Sequence, residues 1–413
     1  MKKIYYNYVA LNTFTYAAIG VLLPLMGQYL IGLGFTGAQI GTITSAGTAM
    51  AIFSTTFWGE KYNNMKNKKL MVMCLCFSAA AIGGCLLWTT GYWVFLWGFI
   101  ILYFFQAPIM GLSDAMTIEA DQPFSAVRKW GCIGFALAVF VAGRIADVFG
   151  LQIIFTGYAI CFVIAGLFIL AIVRSESRGR QQQAVWRTET AATDQEQAEA
   201  ILEELKDHED KLHRKIRYRD VVKNRKLLGI IAASFFLLGT NVANNTYFSF
   251  LYIECGGTIA GIGTAFLLMV GSETIFMALS ARISTKFTIE KTLLASMCIS
   301  ALRFAWYSFG PPSYWIIALF FLQGMVNGII LVEFIRYINK TVSRDHLGMS
   351  ISLYYAASSF STILCQLAGG IVLDVAGGTG VYLFFAIYNV IGVVLYVIFG
   401  LHKGVEGPGE KNI

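Results

Sequence analysis

LQIIFTGYAICFVIAGLFILAIV, residues 151–173, runs directly into RSESRGRQQQ, residues 174–183. The first run is apolar and long enough to cross ~30 Å of hydrocarbon, which takes about 20 residues. The second is basic and low in complexity, and its charges do not belong in lipid. Polar sequence continues to Lys226, and residues 194–219 within it read as a charged helix carrying Leu202, Leu205 and Leu212. Further apolar runs flank this break, near 7–31, 38–60, 70–88, 93–118 and 124–148 on one side and 227–254, 260–282, 290–309, 313–340, 347–375 and 379–401 on the other. Hydrophobic residues make up 57% of the 413 and charged residues 13%, too little charge to cover a soluble surface of this size. The expectation is an all-α membrane protein of twelve transmembrane helices in two six-helix bundles. It divides as 1–173, a cytoplasmic linker at 174–226, 227–402, and a tail at 403–413.

A net charge of +7 suggests nucleic acid only until its distribution is read. Lys61, Lys66, Lys68, Lys69, Arg282, Lys286, Lys291, Lys340 and Arg344 fall in alternate loops, while those near 32–37, 89–92, 149–151, 255–259, 310–313 and 376–379 hold no Lys or Arg. The basic loops, both termini and the linker are therefore expected on the cytoplasmic side of a bacterial cytoplasmic membrane, in contact with lipid and not nucleic acid. The first apolar run is too long for a cleaved signal peptide and lacks its small-residue site. The eight Cys are scattered, mostly within spans, and read as small buried hydrophobes. Gly32, Gly34 and Gly37 spell G-x-G-x-x-G between two apolar runs with no strand before them, so a tight turn explains them better than a nucleotide does. No HExxH, Cys/His cluster or phosphate loop occurs, which argues against an enzyme, a metal or an organic cofactor; a proton gradient is the expected driving force.

Polar groups inside apolar runs are costly and point to function. The charged ones are Asp114, Glu119, Arg128, Glu273, Arg303, Glu333 and Arg336. At 1.5 Å per residue, Glu273 lies ~14 Å from the inner face and Arg303 ~18 Å. Their similar depth and opposite sign allow a pair on adjacent helices, either a static packing bridge or a functional one. Glu333, Arg336 and Lys340 share a helical face near the inner end, where water is expected to reach them, and suit a gate or structural network as well as a proton site. Asn241, Asn244 and Asn245 cluster on one span and need partners from neighbouring helices or a wet cavity. Asn12, Tyr16, Gln28 and Gln106 offer further polar groups in the first half.

Phe124–Gly134 (FSAVRKWGCIG), followed by Phe135 and Ala136, resembles the fifth-span signature of the oligosaccharide/proton symporters, the lactose permease-like group of the major facilitator superfamily. Ala17–Gly41, with Pro24 and Gln39-Ile40-Gly41, is similar to the phenylpropionate permease-like group, and Ser113–Ala115, Gly271–Glu273 and Ala301–Arg303 extend the likeness. The resemblance implies that Arg128 binds substrate with Asp114 as its partner carboxylate, that Phe135 stacks on a ring, that Glu273 contacts hydroxyls and that Arg303 tunes a proton site. Departures stand beside it. Gln323 replaces a histidine, Val326 replaces the proton-carrying glutamate, and Asn241 and Asn244 replace aspartates.

The expected function is proton-coupled symport of a sugar or glycoside by alternating access. The substrate-binding set is Asp114, Arg128, Phe135, Asn241, Asn244, Gln106, Tyr16 and Gln323, and the coupling set is Glu273, Arg303 and Glu333. An aromatic acid or nucleoside is the alternative solute, and drug/proton antiport a further one. The partners are a small-molecule substrate and protons, and a monomer is expected.

Overall fold

The structure is a computed structural model that describes residues 2–187, 224–342 and 346–403. The charged helix expected at 194–219 lies outside the described residues. Six helices precede that segment: α1 (Lys2–Gly32), α2 (Gly37–Asn64), α3 (Lys68–Leu86), α4 (Tyr92–Glu119), α5 (Phe124–Phe149) and α6 (Ile153–Arg187). Five follow it: α7 (Arg225–Glu254), α8 (Ile259–Phe287), α9 (Ile289–Tyr307), α10 (Ser313–Thr341) and α11 (Leu347–Ile398). Residues 174–187, read from sequence as linker, continue helix α6.

The expectation of twelve transmembrane helices in two six-helix bundles is corrected. The described residues form eleven helices, of which nine are long and apolar enough to cross a membrane. Two physical reasons account for the difference. First, α2 is diluted by Gly, Thr and Ser, and α9 carries Glu290, Lys291 and Arg303, so neither meets that standard of apolarity. Second, the runs expected at 347–375 and 379–401 follow one another without a loop, as two helices joined across a kink in one 52-residue element. A straight helix of that length would reach ~78 Å, more than twice the hydrocarbon thickness. It is bent at Gly377, whose φ of 66° and ψ of −170° lie in a region that is essentially glycine-only. Just beyond, the Gly378 N–H donates to the Glu254 carboxylate at 2.7 Å, so the end of α7 holds the bend.

Within α1–α6, α1 packs along α5 and α6, and α2 packs along α4. The α2–α4 contact has a cause in the sequence. Pro108 sits inside α4 and has no N–H to offer the Phe104 carbonyl four residues earlier. Two α2 side chains take up that carbonyl instead: Ser54 Oγ donates to it, and so does Trp58 Nε1 at 3.0 Å.

The two groups of helices meet through α2 against α11, α5 against α8 and α1 against α7, and the first of these contacts lies where α1 turns into α2. There α2 crosses α11 so closely that a Cβ on Gly37 would fall on the Asp374 and Leu373 side chains at 2.9 Å. Thr48 Oγ1 on α2 donates to Gln366 Oε1 on α11 at 3.0 Å. Trp88, Trp93, Phe309 and Tyr314 are exposed at this same end, as rings are at a membrane interface. The loops there are those without Lys or Arg.

Candidate substrate cleft

In the first group the polar site joins three helices. Arg128 on α5 donates through Nη1 to Asp114 Oδ2 on α4, and its guanidinium lies 5.0 Å from the centre of the Tyr16 ring on α1. Sequence dictates the fit, because Gly131, one turn past Arg128, leaves room for that ring: a Cβ there would meet Tyr16 Cδ2 at 2.9 Å. Two buried atoms of this cluster, Asp114 Oδ1 and Tyr16 Oη, have no hydrogen-bond partner among the described residues. A carboxylate oxygen can only accept, so the free Asp114 oxygen suits a hydroxyl or N–H donor. Phe135 is part-buried two turns along α5, with its backbone against Gly20 of α1. Gln106 belongs elsewhere: its Oε1 accepts from Tyr158 at 2.7 Å in the seam between α4 and α6.

In the second group amides replace the ion pair. Arg303 on α9 is 3% exposed and donates through Nη2 to Gln323 Oε1 on α10. With that oxygen taken, Gln323 Nε2 donates to Asn241 Oδ1 on α7 at 3.0 Å and to Asn327 Oδ1 at 3.2 Å. Asn241 Nδ2 in turn donates to the Leu237 carbonyl at 3.1 Å. The relay therefore has one direction, set by the guanidinium, which cannot accept. Asn244 accepts from the Tyr382 hydroxyl at 2.5 Å, while its own Nδ2, like Arg303 Nε and Nη1, is buried without a partner among the described residues. Phe304 and Tyr307 rings flank the guanidinium at 4.3 and 5.2 Å.

Two expectations about charge do not match this geometry. Glu273 and Arg303 form no ion pair: Arg303 is held by Gln323, and Glu273 lies against Asn327. Glu333 is 0% exposed rather than open to water, since it packs inward on α10 and pairs with Arg336 at 3.1 Å. Lys340, expected on the same face, instead bonds Glu290 on α9 at 3.1 Å. Cys132 on α5 lies near Arg128 and Asp114 of the first group and near Glu273 of the second. Sequence reasoning passes over Asn327, Tyr307, Tyr382 and Gln366. Asn327 carries the one signal that could have found it, an amide four residues from Gln323 on the same helix.

The profile of the MFS_1 like family matches residues 5–384. The chain belongs to that family. The proteins that this MFS_1 like chain is similar to are transporters and permeases, and it is no enzyme. It is 28% identical over 406 residues to the uncharacterized transporter YwbF of Bacillus subtilis, covering 95% of this chain and 94% of that one. It is 27% identical over 401 residues to the maltose permease of Geobacillus stearothermophilus, covering 96% and 94%. It is 21% identical over 424 residues to the nucleoside permease NupG of Escherichia coli, covering 94% of each. Among solved structures, a point mutant of the nucleoside transporter NupG superposes with a TM-score of 0.76 at 16% identity, covering 96% of this chain and 99% of that one. The POT family transporter PepTSo superposes at 0.70 and 11% identity, covering 97% and 98%. The protein is thus an integral membrane transporter of the major facilitator superfamily.

Proposed function

We propose that this protein takes up a nucleoside together with protons, by alternating access to the cleft between its two groups of helices. The observation that carries this reading is the chemical difference between the two walls. One wall has an acceptor oxygen on Asp114, the Arg128 guanidinium and the rings of Tyr16 and Phe135, which suit ribose hydroxyls and a stacked base. The other has a donor on Asn244 Nδ2 and an acceptor on Asn245 Oδ1, both buried without a partner among the described residues, which suit the mixed edge of a nucleobase. The sequence and fold likeness to the nucleoside permease NupG supports it. Arg128 is already engaged by Asp114, which disfavours an aromatic acid that would need the same guanidinium. Among the described residues Glu273 is the carboxylate of the second wall without a basic partner, and we assign it the proton, with the Lys- and Arg-free end outside.

A glycoside is the second reading, favoured by the 27% identity to a maltose permease and by the hydroxyl-accepting Asp114. The deciding experiment is uptake into proteoliposomes under an imposed pH gradient, with labelled uridine, adenosine, maltose and phenylpropionate. Nucleoside accumulation that collapses with a protonophore is expected. Maltose accumulation without nucleoside uptake would move the assignment to sugars, and movement of none of the four would sink both readings.

A further inference from the structure

Every helix starts with N–H groups that lack an intrahelical partner. At α2 each of the first four has one, but not from the same group of helices. Thr36 is the cap: its Oγ1 accepts from Gln39 N at 3.2 Å, and the Gln39 side chain accepts from Thr36 N at 3.0 Å. The two remaining donors, Gly37 N and Ala38 N, reach across to α11, where Asp374 accepts them with Oδ1 at 2.5 Å and Oδ2 at 2.8 Å. A carboxylate at a helix start is favoured by the helix dipole as well as by the hydrogen bonds. A second carboxylate does a similar job nearby: Glu254 caps the Gly378 N–H, but both belong to α7–α11.

We propose that Asp374 is a releasable latch on the closed end of the cleft, broken and remade in each transport cycle, and that it sets the balance between the two access states. Alternating access requires α2 and α11 to part at this end. Gly37 packs on Gly370 and Asp374 there, so separation must break both Asp374 hydrogen bonds while leaving the Glu254 cap intact. The released N–H groups and carboxylate pass to water, which satisfies them, so the contact holds the closed state without trapping it. No particular substrate is needed for this role.

The test uses the full-length protein in nanodiscs, in a background with its native Cys replaced. Spin labels go on Trp88→Cys and Phe309→Cys, exposed sites on opposite groups at the closed end. Removing two charge-assisted bonds in Asp374→Ala should move the ratio of short to long label distances toward the long form by about tenfold or more. Asp374→Asn, nearly isosteric, should shift it in the same direction by less and guards against misfolding of the alanine variant. Glu254→Gln should lower Tm yet leave the distances as they are. Unchanged distances in monodisperse Asp374→Ala and Asp374→Asn protein would overturn the latch, as would an equal shift in Glu254→Gln.

Discussion

Across the cleft, the two groups of helices solve the same problem with different chemistry. In α1–α6 the polar contact between helices is an ion pair, Asp114 with Arg128, and Arg128 keeps 41% of its side chain exposed. In α7–α11 it is a chain of amides ending on a guanidinium that is 3% exposed. A second contrast lies where the third and fourth helices of each group meet. There Lys68 of α3 bonds Glu119 of α4 at 2.7 Å, and Glu290 of α9 bonds Lys340 of α10 at 3.1 Å, with the signs exchanged. Glu119 is 47% exposed and Glu290 only 3%. The first group thus keeps its charges near water, where they can meet a solute. The second buries them in fixed networks, which favour a defined geometry over exchange with solvent.

The sharpest way to break this comparison is to neutralise one carboxylate in each wall. Glu273→Gln should abolish pH-driven accumulation, lowering it by about 100-fold, while substrate exchange down its gradient survives, because the amide keeps the shape and loses the proton. Asp114→Asn should instead weaken binding, leaving residual transport coupled to protons. Proton uptake on adding substrate, measured in both variants, separates them; intact proton uptake in Glu273→Gln would return the coupling role to the first wall.

Next in size is the buried bridge against the exposed one. Lys340→Met removes the ion-pair partner of the covered Glu290 and should cost about 1–2 kcal/mol in thermal or denaturant stability. Lys68→Met removes a half-exposed bridge and should cost under about 1 kcal/mol. Equal losses would mean that burial does not distinguish the two halves. Arg128→Gln with Asp114→Asn gives a third comparison: the double variant should be more stable than Arg128→Gln alone, by about 1–3 kcal/mol, because no lone charge remains.

These contrasts are unequally legible in the sequence. Asp114, Arg128 and Glu273 stand out because a charge in an apolar run is rare, and Cys132 lies near all three. Asn241 and Gln323 stand out for the same reason, but the direction of their relay depends on Arg303, a partner 20 residues from Gln323, and cannot be read from spacing. Asp374 looks like an ordinary charge near a helix end, and its partners lie 337 and 336 residues away on α2. Segmentation by hydropathy breaks the chain at 376–379, and the structure leaves helical geometry there at one residue, Gly377, with helix to either side. Glu333 escapes a reading from depth, because distance along a helix says how deep a residue is, not which neighbour covers it.

A further expected effect concerns the Phe104 carbonyl. Trp58→Phe keeps the ring and deletes one of its two α2 donors, and should cost about 1 kcal/mol, read as a fall in Tm. The larger meaning of that carbonyl is mechanical. A proline that weakens one rod has been used to rivet it to the next, so α2 is spliced to α4 over its middle while its tip is held by α11. Force applied at the tip is then carried into the whole first group as a rigid frame, not absorbed as flexure of a single slender strut.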